Sequence, residues 1–208
     1  MNKIDIQAFK KGKTPEQTKV IKYFTDQGVC ASLGMMKDVE YLALVHRTRD
    51  SLKLREKALE KIGLDEEQVS EIPPVCIQGF SFRNAFAKKT SSGRWVTSCY
   101  EVTWLFFGSN QLYLYTKQFN LDEGKKPEQT HEFFYKDVTS LSTATEVITN
   151  ETSEGIRTVS AEKVQVESTK FMMIVPGDKL TVAIDPYDVP DHEAIIKAMK
   201  HKLREKKM

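Results

Sequence analysis

The sequence predicts an α+β fold: a helical region over residues 1–72, then over 73–208 a seven-stranded antiparallel sheet that curls into a barrel and is capped by a C-terminal helix. Three observations carry that expectation. Apolar residues recur at helical spacing before Pro73-Pro74 and alternate after it. Clusters of Gly, Ser, Asn and Pro cut the downstream chain into pieces of strand length. The final segment, from Asp188 on, returns to helical spacing.

Thr14-Pro15-Glu16-Gln17 opens the first helix, with a threonine cap, a proline at the first helical position and a glutamine placed to close a capping box. Val20, Ile21 and Phe24 then share a face, and Gly28 ends the helix. One long helix is expected over 35–62, because Val39, Leu42, Val45, Leu52, Leu59 and Ile62 keep mostly helical spacings, with Gly63 as a left-handed cap. Asp65-Glu66-Glu67-Gln68 offers another capping box, and the double proline stops any helix. Strands are expected over 75–87, 95–107, 111–118, 130–135, 138–149, 162–175 and 179–184. Their connections are short and turn-rich, which favours hairpins and an antiparallel meander. The closing helix is opened by Asp188 or Asp191 and turns Ile195, Ile196, Met199 and Leu203 inward. Its cations, Lys197, Lys200, Lys202, Arg204, Lys206 and Lys207, gather toward the end that the helix dipole favours.

A content of 40% apolar and 29% charged residues makes a packed core the default. With 31 basic against 29 acidic residues, no field over the whole molecule draws in nucleic acid, and no nucleic-acid partner is expected. The opening residues hold no apolar stretch of the length a secretory signal needs and no apolar run approaches the roughly 18 residues of a membrane span, so a protein neither exported nor membrane-spanning is expected. The cysteines, Cys30, Cys76 and Cys99, are widely spaced and form no Cys-x-x-Cys pair, so reduced thiols in cytoplasm are expected rather than a disulfide framework or zinc knuckle.

Along 95–107, one parity gives Val96, Tyr100, Val102, Trp104 and Phe106, a set able to fill a barrel interior. The other parity sends Leu105 and Phe107 outward. In the next strand Tyr113 and Tyr115 lie opposite in parity to Leu112 and Leu114, so both faces of this hairpin are apolar. Outward aromatic surface of that extent needs a cover. The helix bearing Leu42, Val45 and Leu52 is the nearest candidate, in this chain or in a twofold mate. Leu105, Phe107, Tyr113, Tyr115, Leu42 and Val45 are therefore the expected interaction surface, for a protein partner or self-association.

Seven strand-length segments followed by one amphipathic helix is the element order of the pleckstrin-homology superfold. The stretch from Trp104-Leu105-Phe106-Phe107 through Gly108-Ser109-Asn110 to Gln111-Leu112-Tyr113-Leu114-Tyr115 resembles the hairpin of bacterial pleckstrin-homology-like and GRAM-type domains. Phe134-Tyr135-Lys136-Asp137-Val138-Thr139-Ser140-Leu141 resembles the segment that follows it in that family. The resemblance covers about residues 75–208. It implies a binding or scaffolding module rather than an enzyme, an inference by analogy of fold. It also implies a basic signature in the first hairpin loop of lipid-binding members. Lys88, Lys89 and Arg94 occupy that loop here and are the expected anion- or lipid-binding residues, although Val96 stands where the family's second arginine falls. A membrane surface is the corresponding alternative partner.

No Gly-rich phosphate loop, Gly-x-Ser-x-Gly elbow or His-Glu-x-x-His pair occurs, and no catalytic residue, cofactor or metal is expected. Cys99 faces outward by the parity above and would need His131 beside it to act as a nucleophile; a packed strand cysteine is the simpler expectation, and Cys76 reads as core. His46 reads as a helix-surface residue, His192 and His201 are too far apart in sequence for a metal pair, and Asp185, Asp188 and Asp191 read as caps. The rival expectation is an enzyme or ligand-binding domain with a pocket between helices and sheet, marked by a concave site with converging polar groups.

Overall fold

The computed structural model describes residues 5–26, 35–69, 72–124, 127–151, 155–158 and 163–207. Cys30, Gly28 and the start of the strand expected at 162 lie outside them.

The chain begins with α1 (Ile6–Lys10) and α2 (Pro15–Thr25). The capping box that opens α2 forms as expected: Thr14 Oγ1 accepts the Gln17 N–H, and the Gln17 side chain accepts the Thr14 N–H at 2.9 Å. The single helix expected over 35–62 is instead two, α3 (Asp38–Ser51) and α4 (Leu54–Ile62). Lys53 breaks it by adopting a left-handed conformation, φ +45° and ψ 53°. Gly63 closes α4 in the left-handed cap its position suggests, at φ +76°.

Among the described residues nine strands follow rather than seven: β1 (Val75–Phe80), β2 (Ala87–Lys89), β3 (Trp95–Thr97), β4 (Cys99–Phe107), β5 (Gln111–Asn120), β6 (Glu128–Phe134), β7 (Ser140–Thr149), β8 (Gln165–Val175) and β9 (Asp178–Ile184). The extra two arise because the first expected strands are each broken once. Asn84, at φ +50°, turns the chain between β1 and β2, and Ser98 separates β3 from β4. The strands form three antiparallel sheets, β1-β4-β5-β6, the short hairpin β2-β3, and β7-β8-β9, and the sheets do not close into one barrel. Helix α5 (His192–Lys207) ends the chain. No helix among the described residues is long and apolar enough to cross a membrane.

The four-stranded sheet is the middle of three layers. Register pairs Trp104 with Tyr115 and Phe106 with Tyr113, which places these aromatics on one face, whereas Leu105 pairs with Leu114 and Phe107 with Leu112 on the other. The first face, with Tyr100, Val102 and Phe119, packs into a core with Tyr23, Phe24, Tyr41, Leu44, Val45 and Leu59 of the helices. The second face packs with Phe171, Met173 and Val182 of the other sheet and with Ile196, Met199 and Leu203 of α5. Two expectations are corrected here. The Tyr100–Val102–Trp104–Phe106 set faces the helices, not the interior between the sheets. Leu105 and Phe107 are lined up against the second sheet and α5, not outward with Tyr113 and Tyr115. Alternation fixes which residues share a face, but with both faces apolar it does not fix what each face meets.

The six residues expected to form an interaction surface are thereby covered within the chain. Leu105, Phe107, Tyr115 and Val45 are buried, and Tyr113 and Leu42 pack at the edge of the helix-side core.

The two larger sheets join where β9 crosses β1. Gly79 permits the approach, since a Cβ there would stand 2.6 Å from the Asp185 backbone nitrogen. Gln78 O accepts the Asp185 N–H at 2.9 Å, and the Glu101 carboxylate, from β4, accepts the Ala183 N–H at 3.0 Å. A side chain thus partners part of the β9 edge that no strand covers.

Candidate functional site

The residues expected to bind an anion in the first hairpin loop do not converge. Arg94 is buried, donating from Nε and Nη2 to Asp185 Oδ2 at 3.1 and 2.6 Å and from Nη2 to Asp188 Oδ2 at 2.8 Å. Its guanidinium lies between the rings of Phe80 and Tyr187, 5.3 and 5.0 Å from their centroids. Tyr100 adds a hydrogen bond to Asp188 Oδ2 at 2.7 Å, and His46 Nε2 from α3 lies 3.4 Å from Oδ1. Burial pushes the Asp185 carboxyl above its ordinary range, partly offset by Arg94. Asp185 and Asp188 are therefore more than caps: with Arg94 they fasten the β2-β3 hairpin to the segment before α5. Lys88 lies over the Tyr23 ring at 4.1 Å and 3.5 Å from Asp38, while Lys89 is exposed. Asp38 also accepts the Tyr23 hydroxyl and the Ser91 N–H, each at 2.8 Å, so the hairpin tip is tied to the start of α3.

The described thiols, Cys76 and Cys99, are not poised for attack. Cys99 is buried, not outward, and burial pushes it up to about 12. It pairs with Asn120 at one end of β5, whereas His131 pairs with Leu114 toward the other. His192 Nδ1 meets the Val189 carbonyl and His201 pairs with Glu205. Among the described residues, no group of His, Cys, Asp and Glu is arranged to hold a metal ion.

A concave site does form between helices and sheet, where the α3–α4 turn stands over the β1–β4 pair. The cavity measures about 410 Å³. Cross-strand pairing builds its floor, because Cys76 opposes Trp104 and Gln78 opposes Val102, so all four share the helix-facing side. Trp104 is only half-buried and stacks at 6.1 Å on Phe106, leaving part of its indole toward the cavity. The wall is polar and comes from the end of α3 and the start of α4: Arg49, Asp50, Lys53, Arg55 and Glu56. Arg49 reaches deepest. Its Nε donates to Asp50 Oδ1 at 2.8 Å and its Nη1 to Gln78 Oε1 on the floor at 3.4 Å. Burial lowers its pKa, but the Asp50 hydrogen bond and charge more than compensate, so it stays a cation. Arg55 makes two hydrogen bonds to Glu66, which holds the Glu66 carboxyl below its ordinary range. Burial pushes the Cys76 thiol up to about 11, leaving it neutral and apolar at physiological pH.

Sequence reasoning missed Arg49, Lys53, Gln78 and Trp104 as neighbours. No local signal marked the break that brings them together: Leu52 keeps the helical spacing, and neither Gly nor Pro stands at the turn. No family model, no curated protein and no solved structure matches the chain.

Proposed function

We propose that the protein is a non-catalytic binding module that takes a small ligand in the cavity between the α3–α4 turn and the sheet. The observation carrying this reading is a preformed cavity of about 410 Å³, within the usual range for ligand sites, with an aromatic floor and a polar wall. The neutral thiols of Cys76 and Cys99 support a binding rather than a nucleophilic role for those residues. A pleckstrin-homology-like architecture is part of the proposal. Setting aside the short β2-β3 hairpin, the described strands fall into one antiparallel sheet of four and one of three before the closing helix, a strand number and element order in keeping with the resemblance. The helices α1 to α4 would be this chain's addition to that plan.

Trp104 gives a direct test. In a Trp95→Phe background it becomes the sole indole, and a library of small aromatic compounds is screened for saturable change in its emission with a matching rise in melting temperature. Saturable binders that Trp104→Leu abolishes are expected. If every compound leaves both emission and melting temperature unchanged, the cavity is not a binding site.

A further inference from the structure

We propose that the ligand of this cavity is an anion with a flat apolar body, the carboxylate or phosphate class, held by Arg49 and Lys53 with its body against Trp104. This inference rests on the binding reading above. It follows from where the charges sit. Arg49 is the charged side chain that reaches the floor, with 27% of its side chain exposed against 66% for Asp50. A charged group entering the cavity loses water in proportion to depth, so the sign of the deepest fixed charge selects the ligand. That charge is positive. Asp50 accepts from Nε and Gln78 from Nη1, and no hydrogen bond from Nη2 is made among the described residues, so a lining guanidinium keeps donors for a ligand.

Lys53 supplies a second cation. It stands at the rim on the left-handed turn residue, and no carboxylate among the described residues lies within ion-pairing distance of it. Arg55, by contrast, is engaged by Glu66. Strained backbone at a cavity rim is a common companion of binding sites, because the strain fixes the direction of a side chain. Below, Trp104 and the neutral Cys76 present an apolar surface suited to a planar group.

Four probes of similar shape test the sign of charge on the full chain: phenyl phosphate, benzoate, benzamide and benzylammonium, by calorimetry and thermal shift at low and high salt. The anions are expected to bind at least roughly tenfold more tightly than benzamide, since each charge-assisted hydrogen bond lost weakens binding by about that factor. Salt should weaken the anions and not benzamide. Arg49→Met should remove the preference, bringing the anions down to the level of benzamide, and Arg49→Lys, which keeps the charge, should restore part of it if Arg49→Met perturbs folding. If benzamide or benzylammonium binds as tightly as the anions, the anion assignment is overturned and the binding reading stands. If no probe binds at millimolar concentration, while the library screen also yields nothing, both fall.

Discussion

At the scale of single residues, two groups that look alike in sequence have opposite fates. Arg94 and Lys89 sit in one basic loop, yet Arg94 is enclosed by two aspartates and two rings while Lys89 points to water. Arg94→Ala leaves Asp185 and Asp188 buried without their cation and is expected to cost about 3–5 kcal/mol in denaturant unfolding. Lys89→Ala should change stability by less than about 0.5 kcal/mol. Glu101 makes a second residue-scale prediction. Burial raises its pKa, partly offset by the Gln118 amide and the Ala183 N–H. Its folded-state pKa is above the unfolded value, so its contribution is most favourable at low pH and is lost as pH rises through the raised value. Glu101→Gln, which keeps an acceptor without the charge, is therefore expected to melt higher than the parent at pH 7, with the gap closing toward pH 4 in a series of thermal melts.

Among the elements, the boundaries that depend on local chemistry were legible and those that depend on distant partners were not. The Thr14–Gln17 capping box, the Gly63 cap, the start of β5 and the ends of β7, β8 and β9 follow from caps and turn residues a few positions apart. The break between α3 and α4 falls at a lysine, a residue with no preference for left-handed backbone, and nothing local announces it. Lys53→Gly is accordingly expected to stabilise the chain by up to about 1 kcal/mol in chemical denaturation by relieving that strain. At the β1–β9 crossing the outcome reverses. Gly79→Ala introduces a Cβ against the Asp185 and Ile184 backbone, and a loss of stability well beyond a helix or strand propensity effect is expected, since neither backbone segment can move independently of its sheet.

Across the whole molecule, the sequence announced the α+β class, the antiparallel strands and the closing helix, and it announced that both faces of the β4–β5 hairpin need covers. It did not announce which cover goes where, because Leu105 and Trp104 carry equally apolar signals and only the third dimension separates them. The candidate cavity was hidden for the same reason: Arg49, Gln78 and Trp104 are far apart in sequence and meet only when α3 lies on β1 and β4. The layer arrangement yields its own prediction. Removing residues 1–72 would strip Tyr100, Val102, Tyr115 and Phe119 of their helical cover, and the truncated chain is expected to aggregate or self-associate by light scattering where the full chain does not.

The hydrogen bond from the Ala183 amide to Glu101 makes one backbone proton a spectator of one carboxyl group. As that acid gains its proton, the amide loses a charged acceptor and its resonance should move, tracing a titration curve in ordinary two-dimensional spectra. The seam between the two large sheets thus carries its own indicator, readable without any label.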